Sequence, residues 1–282
     1  MRYKPMLAYP VSDKPINYND KVFMQPKLDG VRCLIQYDKG KVTAYSRTGK
    51  EWKNILHITS SLEKWFKSNQ TTVLDGELYN HDLRDDFETI ISLVRRQTPD
   101  DIDMIESRDL VQFHCYDIIH PDKFKFEDRT RFVKWCVGQS SPYVHVVSTI
   151  RIPTEVQAKD YHQDNLNQGY EGSILRTNDE YHCKRSHSLR KFKDFSDAEA
   201  TIIGYLDGKG KRTGTLGKFI MQDDEGIEFG CPPGKGYTYK DLKIMLDNIG
   251  DYIGQRATFT FFERTKAGSY RHPLFKCIRD YE

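Results

Sequence analysis

The chain has 282 residues, of which 38% are hydrophobic and 30% charged, and its formal net charge is +2 at pH 7. This length allows two domains of roughly 100–200 residues each, and no run of about 18 apolar residues marks a membrane span. The near-zero net charge excludes a globally basic nucleic-acid-binding protein, so any such contact must come from local basic clusters.

Six cysteines are scattered without paired spacing, at positions 33, 115, 136, 183, 231 and 277. This pattern argues against a zinc site and indicates reduced thiols in a compartment such as the cytoplasm. The first 13 residues lack the apolar core of a signal peptide, so we expect neither secretion nor a membrane anchor.

The first predicted elements are two strands that flank the segment KLDGVR at 27–32. A buried strand at 22–24 precedes this segment, and a strand of mostly alternating pattern follows it. Lys27 therefore lies at the mouth of a turn, with Asp29 two residues and Arg32 five residues further along. An amine held near an acid and an arginine is a candidate nucleophile. A polar hairpin with a solvated lysine is the alternative, because short motifs also occur by chance.

The rest of the first 195 residues alternates strands and helices. Predicted strands lie at 42–45, 73–79, 110–119, 172–176 and 189–195, and predicted helices lie at 54–67, 85–96, 127–137 and 154–167. Asn54 and Pro153 are placed to begin two of these helices. The pair Asp75-Gly76 is expected to interrupt its strand, and the apolar run at 110–119 is typical of a fully buried strand.

From residue 196 onward, short strands are separated by glycine-rich turns. Strands are predicted at 201–205, 217–221, 226–230, 257–263 and 274–279, with one helix at 239–249. Five strands and one helix in about 85 residues predict a small β-barrel of the oligonucleotide-binding (OB) type. A β-rich accessory domain of another use is the alternative. We therefore expect an α+β protein with domains at 1–195 and 196–282.

Several charged residues fall on otherwise apolar strands of the first domain. Glu77 and Glu171 each adjoin a glycine, and Lys191 and Lys193 are two apart, so that both lysines share one strand face. Buried charges are costly unless they are paired or bind a metal or ligand. Taken singly, the glutamates fit salt-bridge partners at a rim, and the two lysines fit a solvated face. Their joint occurrence with Lys27 predicts a site for phosphates and a divalent metal.

The order of these segments resembles the motif series of ATP-dependent DNA ligases, which belong to the covalent nucleotidyltransferases. The matching segments are KLDGVR at 27–32, SRTGKE at 46–51, LDGELY at 74–79, FHCYDII at 113–119, EGSILR at 171–176 and LRKFKDF at 189–195. The segments 208–219, 257–263 and 269–280 resemble the ligase OB domain. The length resembles a minimal viral or phage form. The resemblance implies a nucleotidyltransferase domain with antiparallel sheets and flanking helices, followed by a small β-barrel OB-fold domain.

The resemblance also implies a role for each matched residue. The implied catalytic residues are Lys27, Asp29, Arg32, Lys191 and Lys193. The implied ATP or AMP contacts are Gln25, Lys27, Arg32, Arg47, Glu77, Tyr116, Lys191, Lys193 and Arg279. The implied ligands of Mg²⁺ or Mn²⁺ are Glu77 and Glu171, and the implied DNA contacts are Arg32, Arg47, Lys209, Lys211 and Arg212.

In these roles Lys27 would attack the α-phosphorus of ATP and carry AMP, and neighbouring cations would favour its neutral amine. Tyr116 stands where the family usually has a phenylalanine that stacks on adenine, and a tyrosine can stack equally. Glu77 would bind the ribose hydroxyl, Arg32 the ribose and then the 5′-phosphate of the nick, and Asp29 would assist at the 3′-hydroxyl.

Two departures from the family pattern affect these roles. The last OB motif ends Arg279-Asp280-Tyr281-Glu282 and lacks the lysine that would orient pyrophosphate, so Lys276 or Arg279 would take that role. Gln25 stands where the family often has a glutamate, and we expect it to contact adenine.

The implied activity is the sealing of nicks in duplex DNA with ATP. We expect a monomer in the cytoplasm, or in the host cytoplasm if viral, that needs neither a membrane nor a protein partner. An RNA ligase or an mRNA-capping guanylyltransferase is the first alternative, because both share the lysine segment and the two-domain plan. A non-catalytic OB-type binding module is the second, and it leaves Lys27, Glu171 and Lys191 together unexplained.

Overall fold

The computed structural model describes residues 2–84, 86–137, 141–192, 196–234, 236–262, 264–265 and 268–279, with the backbone alone at 136 and 137. Lys193 and the residues after Arg279 lie outside the described residues. The chain divides into two compact units, residues 1–193 and 194–282. None of the helices in the described part of the chain combines the length and apolarity that a membrane-spanning helix requires.

The first unit combines two sheets with helices. Its described strands are β1 (Leu7–Pro10), β2 (Val22–Lys27), β3 (Val31–Asp38), β4 (Lys41–Tyr45), β5 (Val73–Tyr79), β6 (Gln112–Ile119), β7 (Val144–Val146), β8 (Ile150–Arg151), β9 (Gly172–Thr177) and β10 (Arg185–Phe192). Its described helices are α1 (Leu56–Ser61), α2 (Glu63–Ser68), α3 (Phe87–Val94), α4 (Asp101–Leu110), α5 (Phe126–Phe132) and α6 (Glu155–Asn167).

These strands form two five-stranded sheets. The first sheet has the order β1-β10-β9-β2-β8 and the second sheet the order β4-β3-β5-β6-β7. Neighbouring strands are antiparallel except for β1 with β10 and β6 with β7. Because β2 lies in the first sheet and β3 in the second, residues 28–30 connect the two sheets.

Each sheet of the first unit buries its own apolar cluster. The second sheet contributes Phe113 to a large core that also contains Phe66 of α2 and Ile90 of α3. The first sheet packs Val22 and other apolar side chains against Ala158 of α6. Burying one large apolar side chain contributes about 1.5–3 kcal/mol, so these cores hold the two sheets as rigid supports.

The second unit consists of one antiparallel sheet and a helix. Its described elements are β11 (Ser196–Asp207), β12 (Leu216–Gln222), β13 (Glu228–Cys231), α7 (Tyr239–Asp247), β14 (Arg256–Phe261) and β15 (Leu274–Ile278), and the strand order is β13-β12-β11-β14-β15. The edges meet at one end, where the Phe275 N–H donates to the Pro232 carbonyl over 2.9 Å. The strand number and the helix match the OB prediction. Within the described residues, however, the sheet is not a closed barrel.

The region from 54 to 119 differs most from the sequence-based expectation. Instead of one capped helix, the structure has the two short helices α1 and α2, and the Asn54 amide donates to the carbonyls of Leu93 and Asp103. The helix α4 was not predicted, and Leu110 ends it rather than beginning a strand. The strands β1, β7 and β8 were also not predicted, because each is too short to show a period.

The strand β5 is continuous through the Asp75-Gly76 pair that was expected to interrupt it. Only its register with β6 shifts at this point. A Cβ atom at Gly76 would lie 2.4 Å from the His114 carbonyl oxygen and 2.6 Å from the Phe113 ring. The glycine therefore permits the close approach of two strands rather than a turn.

Candidate functional site

The predicted nucleophile lies where the two sheets join. Lys27 ends β2, pairs with Gly172 of β9, and places its Nζ in a close ion pair with Glu171 Oε2. The Glu171 N–H also donates to the Lys27 carbonyl over 3.1 Å. Only 7% of the Glu171 side chain is exposed, so the lysine replaces much of the water around this carboxylate. Two residues that the sequence assigned to one site are thus direct partners.

The backbone at Gly172 makes this arrangement possible. Its φ of +144° lies in a region that L side chains rarely adopt, and an added Cβ would lie 2.5 Å from the Phe192 carbonyl oxygen. Glycine therefore lets β9 approach β10 directly beside Glu171. The glycine that follows the glutamate in the sequence is a steric requirement of the site.

A buried ion pair holds the arginine of the same segment in the second sheet. Arg32 Nε and Nη2 donate to the two oxygens of Asp75 over 2.7 and 2.6 Å. The Tyr181 hydroxyl donates to the same carboxylate over 2.6 Å. Burial alone would lower the pKa of Arg32, but the Asp75 carboxylate raises it well above its usual value. Arg32 is therefore a fixed cation, and Asp75 and Tyr181 are functional neighbours that the sequence did not reveal.

Glu77 and Tyr116 form a second polar pair beside Arg32. The Tyr116 hydroxyl donates to Glu77 Oε2 over 3.1 Å, and Glu77 lies opposite Arg32 in the β3–β5 pairing. Burial raises the pKa of Glu77 to about 7, against the lowering effect of Arg32 and Lys27. Near neutral pH this carboxyl group is therefore only partly ionised and can donate as well as accept a hydrogen bond.

A buried polar network connects the two sheets behind this pair. Arg176 of β9 donates from Nη1 to Asp117 of β6 over 2.6 Å and from Nε to Gln25 Oε1 over 2.7 Å. Arg129 donates to the other Asp117 oxygen over 2.7 Å. The sequence analysis missed this network, although Asp117 interrupts an apolar strand in the same way as Glu77 does.

Some of these side chains line a cavity of about 280 Å³. Seven residues that the sequence assigned to the nucleotide site line it: Gln25, Lys27, Arg32, Arg47, Glu77, Tyr116 and Lys191. Arg176, Arg185 and the strand β1 also contribute to its wall, and none of these was predicted. A larger groove of about 520 Å³ runs beside α1 and α4, but it contains none of the predicted site residues. The polar, cation-rich cavity therefore fits a phosphorylated ligand better than the groove does.

The remaining predicted residues of the first unit do not line this cavity. Asp29 lies in the connection between the sheets and is partly exposed. Glu171 reaches the site through its contact with Lys27. Lys193 falls outside the described residues, so its expected position beside Lys191 stays a prediction.

The residues implied as metal ligands are two carboxylates, Glu77 and Glu171. Among the described residues, no group of three or more histidine, cysteine, aspartate or glutamate side chains is arranged to hold a metal ion. Mg²⁺, however, usually binds through one or two carboxylates and completes its shell with water and substrate phosphates. Glu171 at the nucleophile and Glu77 in the cavity wall fit a metal that arrives with a nucleotide.

The second unit carries the other predicted contacts. The exposed residues Lys209, Lys211 and Arg212, here called the basic turn, lie in the connection between β11 and β12. Arg279 forms a close ion pair with Glu199, and Lys276 Nζ lies 2.7 Å from Asp197. Both candidates for the missing lysine of the last motif thus have acidic partners within their own unit.

Family models match both units. A model described as "ATP dependent DNA ligase domain" matches residues 5–193, and one described as "DNA ligase OB-like domain" matches residues 207–279. A DNA ligase of African swine fever virus (isolate Tick/South Africa/Pretoriuskop Pr4/1996) is 28% identical over 238 residues, covering 80% of this chain and 54% of its own length. A DNA ligase of Cenarchaeum symbiosum is 24% identical over 265 residues, covering 86% of this chain and 43% of its own length. The chain thus spans about half the length of these relatives.

Solved structures share the fold. A chain from a study of DNA binding with a minimal scaffold in Lig E DNA ligases superposes with a TM-score of 0.79 and 24% identity, and covers 99% of this chain and 100% of its own. A Chlorella virus DNA ligase-adenylate superposes with a TM-score of 0.51 and 24% identity, with 99% of each chain covered. At this identity the likeness is one of fold: an α+β nucleotidyltransferase unit followed by an OB-like unit.

Proposed function

Because this chain belongs to the ATP-dependent DNA ligase family, we propose that it seals nicks between a 3′-hydroxyl and a 5′-phosphate in duplex DNA. The observation that carries the proposal is the pairing of Lys27 with Glu171 beside a cavity lined by Arg32, Glu77 and Lys191. A lysine in this position can carry AMP between ATP and the nick.

Before the first step the Lys27 ammonium, which is paired with Glu171, loses one proton to solvent, and the neutral amine then attacks the α-phosphorus of ATP. An N–P bond forms, the bond from the α-phosphorus to pyrophosphate breaks, and the amine loses a proton. The Glu171 carboxylate lies against Nζ and is the acceptor placed to take that proton. Lys191 and Arg32 face the same cavity and supply the positive charge that phosphoryl transfer requires.

The cavity walls also fit the nucleoside. The Tyr116 ring can stack on adenine, and the Glu77 carboxyl group can bind a ribose hydroxyl. The pKa of Glu77, raised to about 7, suits a group that exchanges hydrogen bonds with a hydroxyl near neutral pH. Glu171 and Glu77 would hold a divalent metal, which supplies charge neutralisation at the phosphates when it is bound.

The later steps use the same residues on DNA. The 5′-phosphate of the nick attacks the lysyl-AMP phosphorus, which frees Lys27 and forms DNA-adenylate. The 3′-hydroxyl then attacks the 5′-phosphorus, a phosphodiester bond forms and AMP leaves. Arg32 and the exposed Arg47, which both line the cavity, would bind the 5′-phosphate, and Asp29 would assist at the 3′-hydroxyl.

Binding to duplex DNA would depend on contacts with the phosphates of the DNA backbone. The basic turn exposes two lysines and an arginine, and such side chains bind phosphates without reading base sequence. Within the second unit, Arg279 and Lys276 are the remaining candidates for contact with pyrophosphate, and each would first exchange its acidic partner.

The free thiols and the cavity lining support a compartment and an oligomeric state for the reaction. The cysteines at 33, 115, 183, 231 and 277 are all unpaired, which supports a reducing compartment such as the cytoplasm. We expect a monomer to act without a protein partner, because the described residues that line the nucleotide cavity already supply the predicted nucleophile and its cationic neighbours.

The proposal is tested by covalent labelling and nick joining. Wild-type protein with α-labelled ATP and Mg²⁺ should form a labelled adduct and should seal nicked duplex DNA. Lys27→Ala should abolish both, whereas Lys41→Ala, which removes an exposed lysine beside Glu51, should abolish neither. Labelling by GTP in place of ATP, or joining of nicked RNA in preference to DNA, would favour a capping enzyme or an RNA ligase. A labelled adduct that persists in Lys27→Ala would refute the role of Lys27 as the nucleophile.

A further inference from the structure

The Tyr181 hydroxyl joins two distant segments of the first unit. It donates to Asp75 Oδ2 of β5 over 2.6 Å and accepts the Met6 N–H, just before β1, over 2.8 Å. Burial, and after it the negative charge of Asp75, raises the pKa of Tyr181 well above its usual value, so the hydroxyl stays protonated. A backbone N–H can only donate, which leaves the single phenolic proton for the carboxylate.

Met6 carries this connection onward to Arg32. The Met6 carbonyl accepts from Arg32 Nη2 over 3.2 Å, and only 1% of Met6 is exposed. Arg32 in turn donates from Nε and Nη2 to the Asp75 carboxylate. The four residues therefore form a closed ring of hydrogen bonds, with two separate routes from the tyrosine to the guanidinium.

Nη1 is the one nitrogen of Arg32 that donates to no other described residue. The Nε–H and the N–H bonds of Nη2 are used by Asp75 and Met6. A guanidinium carries five N–H bonds, of which two belong to Nη1. Because Arg32 lines the nucleotide cavity, Nη1 is the nitrogen left to bind a ligand there.

Tyr181 does not belong to the described lining of this cavity, so its effect on a ligand must pass through Arg32. Without the hydroxyl, the Asp75 carboxylate loses one donor and the Met6 N–H loses the acceptor that the structure gives it. An unpaired buried N–H is costly, so the Met6 backbone would move to find another acceptor. Both routes that hold the guanidinium would then loosen.

From this geometry we infer that Tyr181 is a positioning residue: it holds Arg32 through both routes of the ring, so that the guanidinium presents Nη1 alone to a phosphate of the bound nucleotide. The inference rests on the proposed function, because that nucleotide is the ATP that Lys27 would use. An arginine held in its binding orientation before the ligand arrives loses less side-chain freedom on binding. It therefore binds a phosphate more tightly than a freely turning arginine does.

The test compares ATP with adenosine, which has the same base and ribose but no phosphate. Equilibrium binding of each is measured with Mg²⁺ in a Lys27→Ala background, so that no covalent adduct forms. Tyr181→Phe should lower the ratio of the two affinities about 10-fold, because it weakens a charge-assisted hydrogen bond to phosphate. The adenosine affinity should change by less than about 2-fold, and this binding also shows that the variant is folded.

Two further variants separate positioning from general stability. Arg32→Met should lower the ratio at least as much as Tyr181→Phe does. Adding Tyr181→Phe to Arg32→Met should change the ratio by less than about 2-fold, because the tyrosine acts through the arginine. Tyr270→Phe is the matched control and should leave the ratio unchanged. The Tyr270 hydroxyl also lies between a carboxylate and an N–H donor, 2.8 Å from Asp223 Oδ2 and 2.7 Å from Arg264 Nη2, but in the second unit.

The outcomes separate this inference from the proposed function. An unchanged ratio in Tyr181→Phe would overturn the inference, and equal weakening of ATP and adenosine would do the same, because it indicates a merely structural role. A large further fall when Tyr181→Phe is added to Arg32→Met would also overturn it, since the tyrosine would then act by another route. Labelling of wild-type protein with α-labelled ATP tests the function separately: the expected ratios without any adduct would support the inference and refute the ligase mechanism.

Discussion

Replacing Asp75 with asparagine should strongly destabilise the first unit. The Asp75 carboxylate has no exposed surface and accepts two hydrogen bonds from Arg32 and one from Tyr181. Asp75→Asn keeps the shape but removes the charge, so the Arg32 guanidinium, with only 18% of its side chain exposed, loses its ionic partner. Breaking a buried pair on one side costs about 3–5 kcal/mol. We expect about 3 kcal/mol here, because the amide oxygen still accepts one bond.

Tryptophan fluorescence measures this effect in the first unit alone. All three tryptophans, at positions 52, 65 and 135, lie in the first unit, and Trp52 Nε1 donates to the Arg32 carbonyl over 3.3 Å. With a urea dependence of about 2 kcal/mol per molar, a loss of 3 kcal/mol lowers the unfolding midpoint by about 1.5 M. Tyr181→Phe removes the bond that the hydroxyl donates to Asp75 and the bond that it accepts from the Met6 N–H, and should cost about 2 kcal/mol.

Two comparisons complete the experiment. Asp122→Asn, at a carboxylate that is 67% exposed, should change the stability by less than about 0.5 kcal/mol. In an Arg32→Met background, Asp75→Asn should cost much less than in wild type, since no buried cation is then left unpaired. A loss below about 1 kcal/mol in Asp75→Asn, or strict additivity with Arg32→Met, would refute the reasoning that this pair is a buried, mutually dependent unit.

Three further changes have defined outcomes. Burial, together with His145 and His81, lowers the pKa of His114 to about 3 in the folded protein, so the unfolded chain binds a proton below about pH 6.5 that the folded chain does not. Lowering the pH from 6.5 to 3 should therefore lower the free energy of unfolding by up to about 1.4 kcal/mol for each pH unit. His114→Gln should lose less stability than wild type between pH 7 and pH 4.5. An equal loss in both proteins would contradict this. Gly76→Ala should lower the free energy of unfolding in urea by about 2–3 kcal/mol, because the added methyl group meets the His114 carbonyl. Gly250→Ala should be nearly neutral, because open space surrounds the added atom. Equal losses in the two variants would argue against the close approach of the strands at Gly76. Alanine at all three positions of the basic turn should reduce the slope of the logarithm of the duplex-DNA binding constant against the logarithm of salt concentration by about 2–3, at about 0.9 for each lost phosphate contact. Alanine at the exposed Lys240 of α7 should leave this slope unchanged. An unaltered slope in the triple variant would show that the basic turn does not contact the DNA.

Local pattern was enough to predict the elements that carry the motifs. The strands around 22–37 and the segment between them were predicted because alternation and apolar runs are properties of neighbouring residues. The same local logic missed α4, whose Asp100 and Asp103 form a capping box that marks a helix start even where the apolar pattern is weak.

The partners of charged residues could not be predicted from the sequence in the same way. Asp75 was interpreted as part of an interruption in its strand and Asp117 as part of an apolar strand, because their partners lie far away along the chain. Arg32 is 43 residues from the first and Arg176 is 59 residues from the second. The first pair joins neighbouring strands of one sheet and the second joins strands of the two sheets, and period and spacing carry no record of either arrangement. The motif resemblance could predict the residues of the cavity wall, but not the network that orients them.

The connection from β2 to β3 has a mechanical consequence. Residues 28–30 cross from one sheet to the other, so Lys27 belongs to the first sheet and Arg32 to the second. Sliding one sheet past the other by a single residue, about 3.3 Å, would separate the amine from the groups that neutralise the phosphates. The hydrogen bonds from Gln25 to the Tyr116 carbonyl and from Arg176 to Asp117 join the two sheets and oppose this sliding. A break in the chain within residues 28–30 would therefore leave these side-chain bonds to keep the reacting centre aligned.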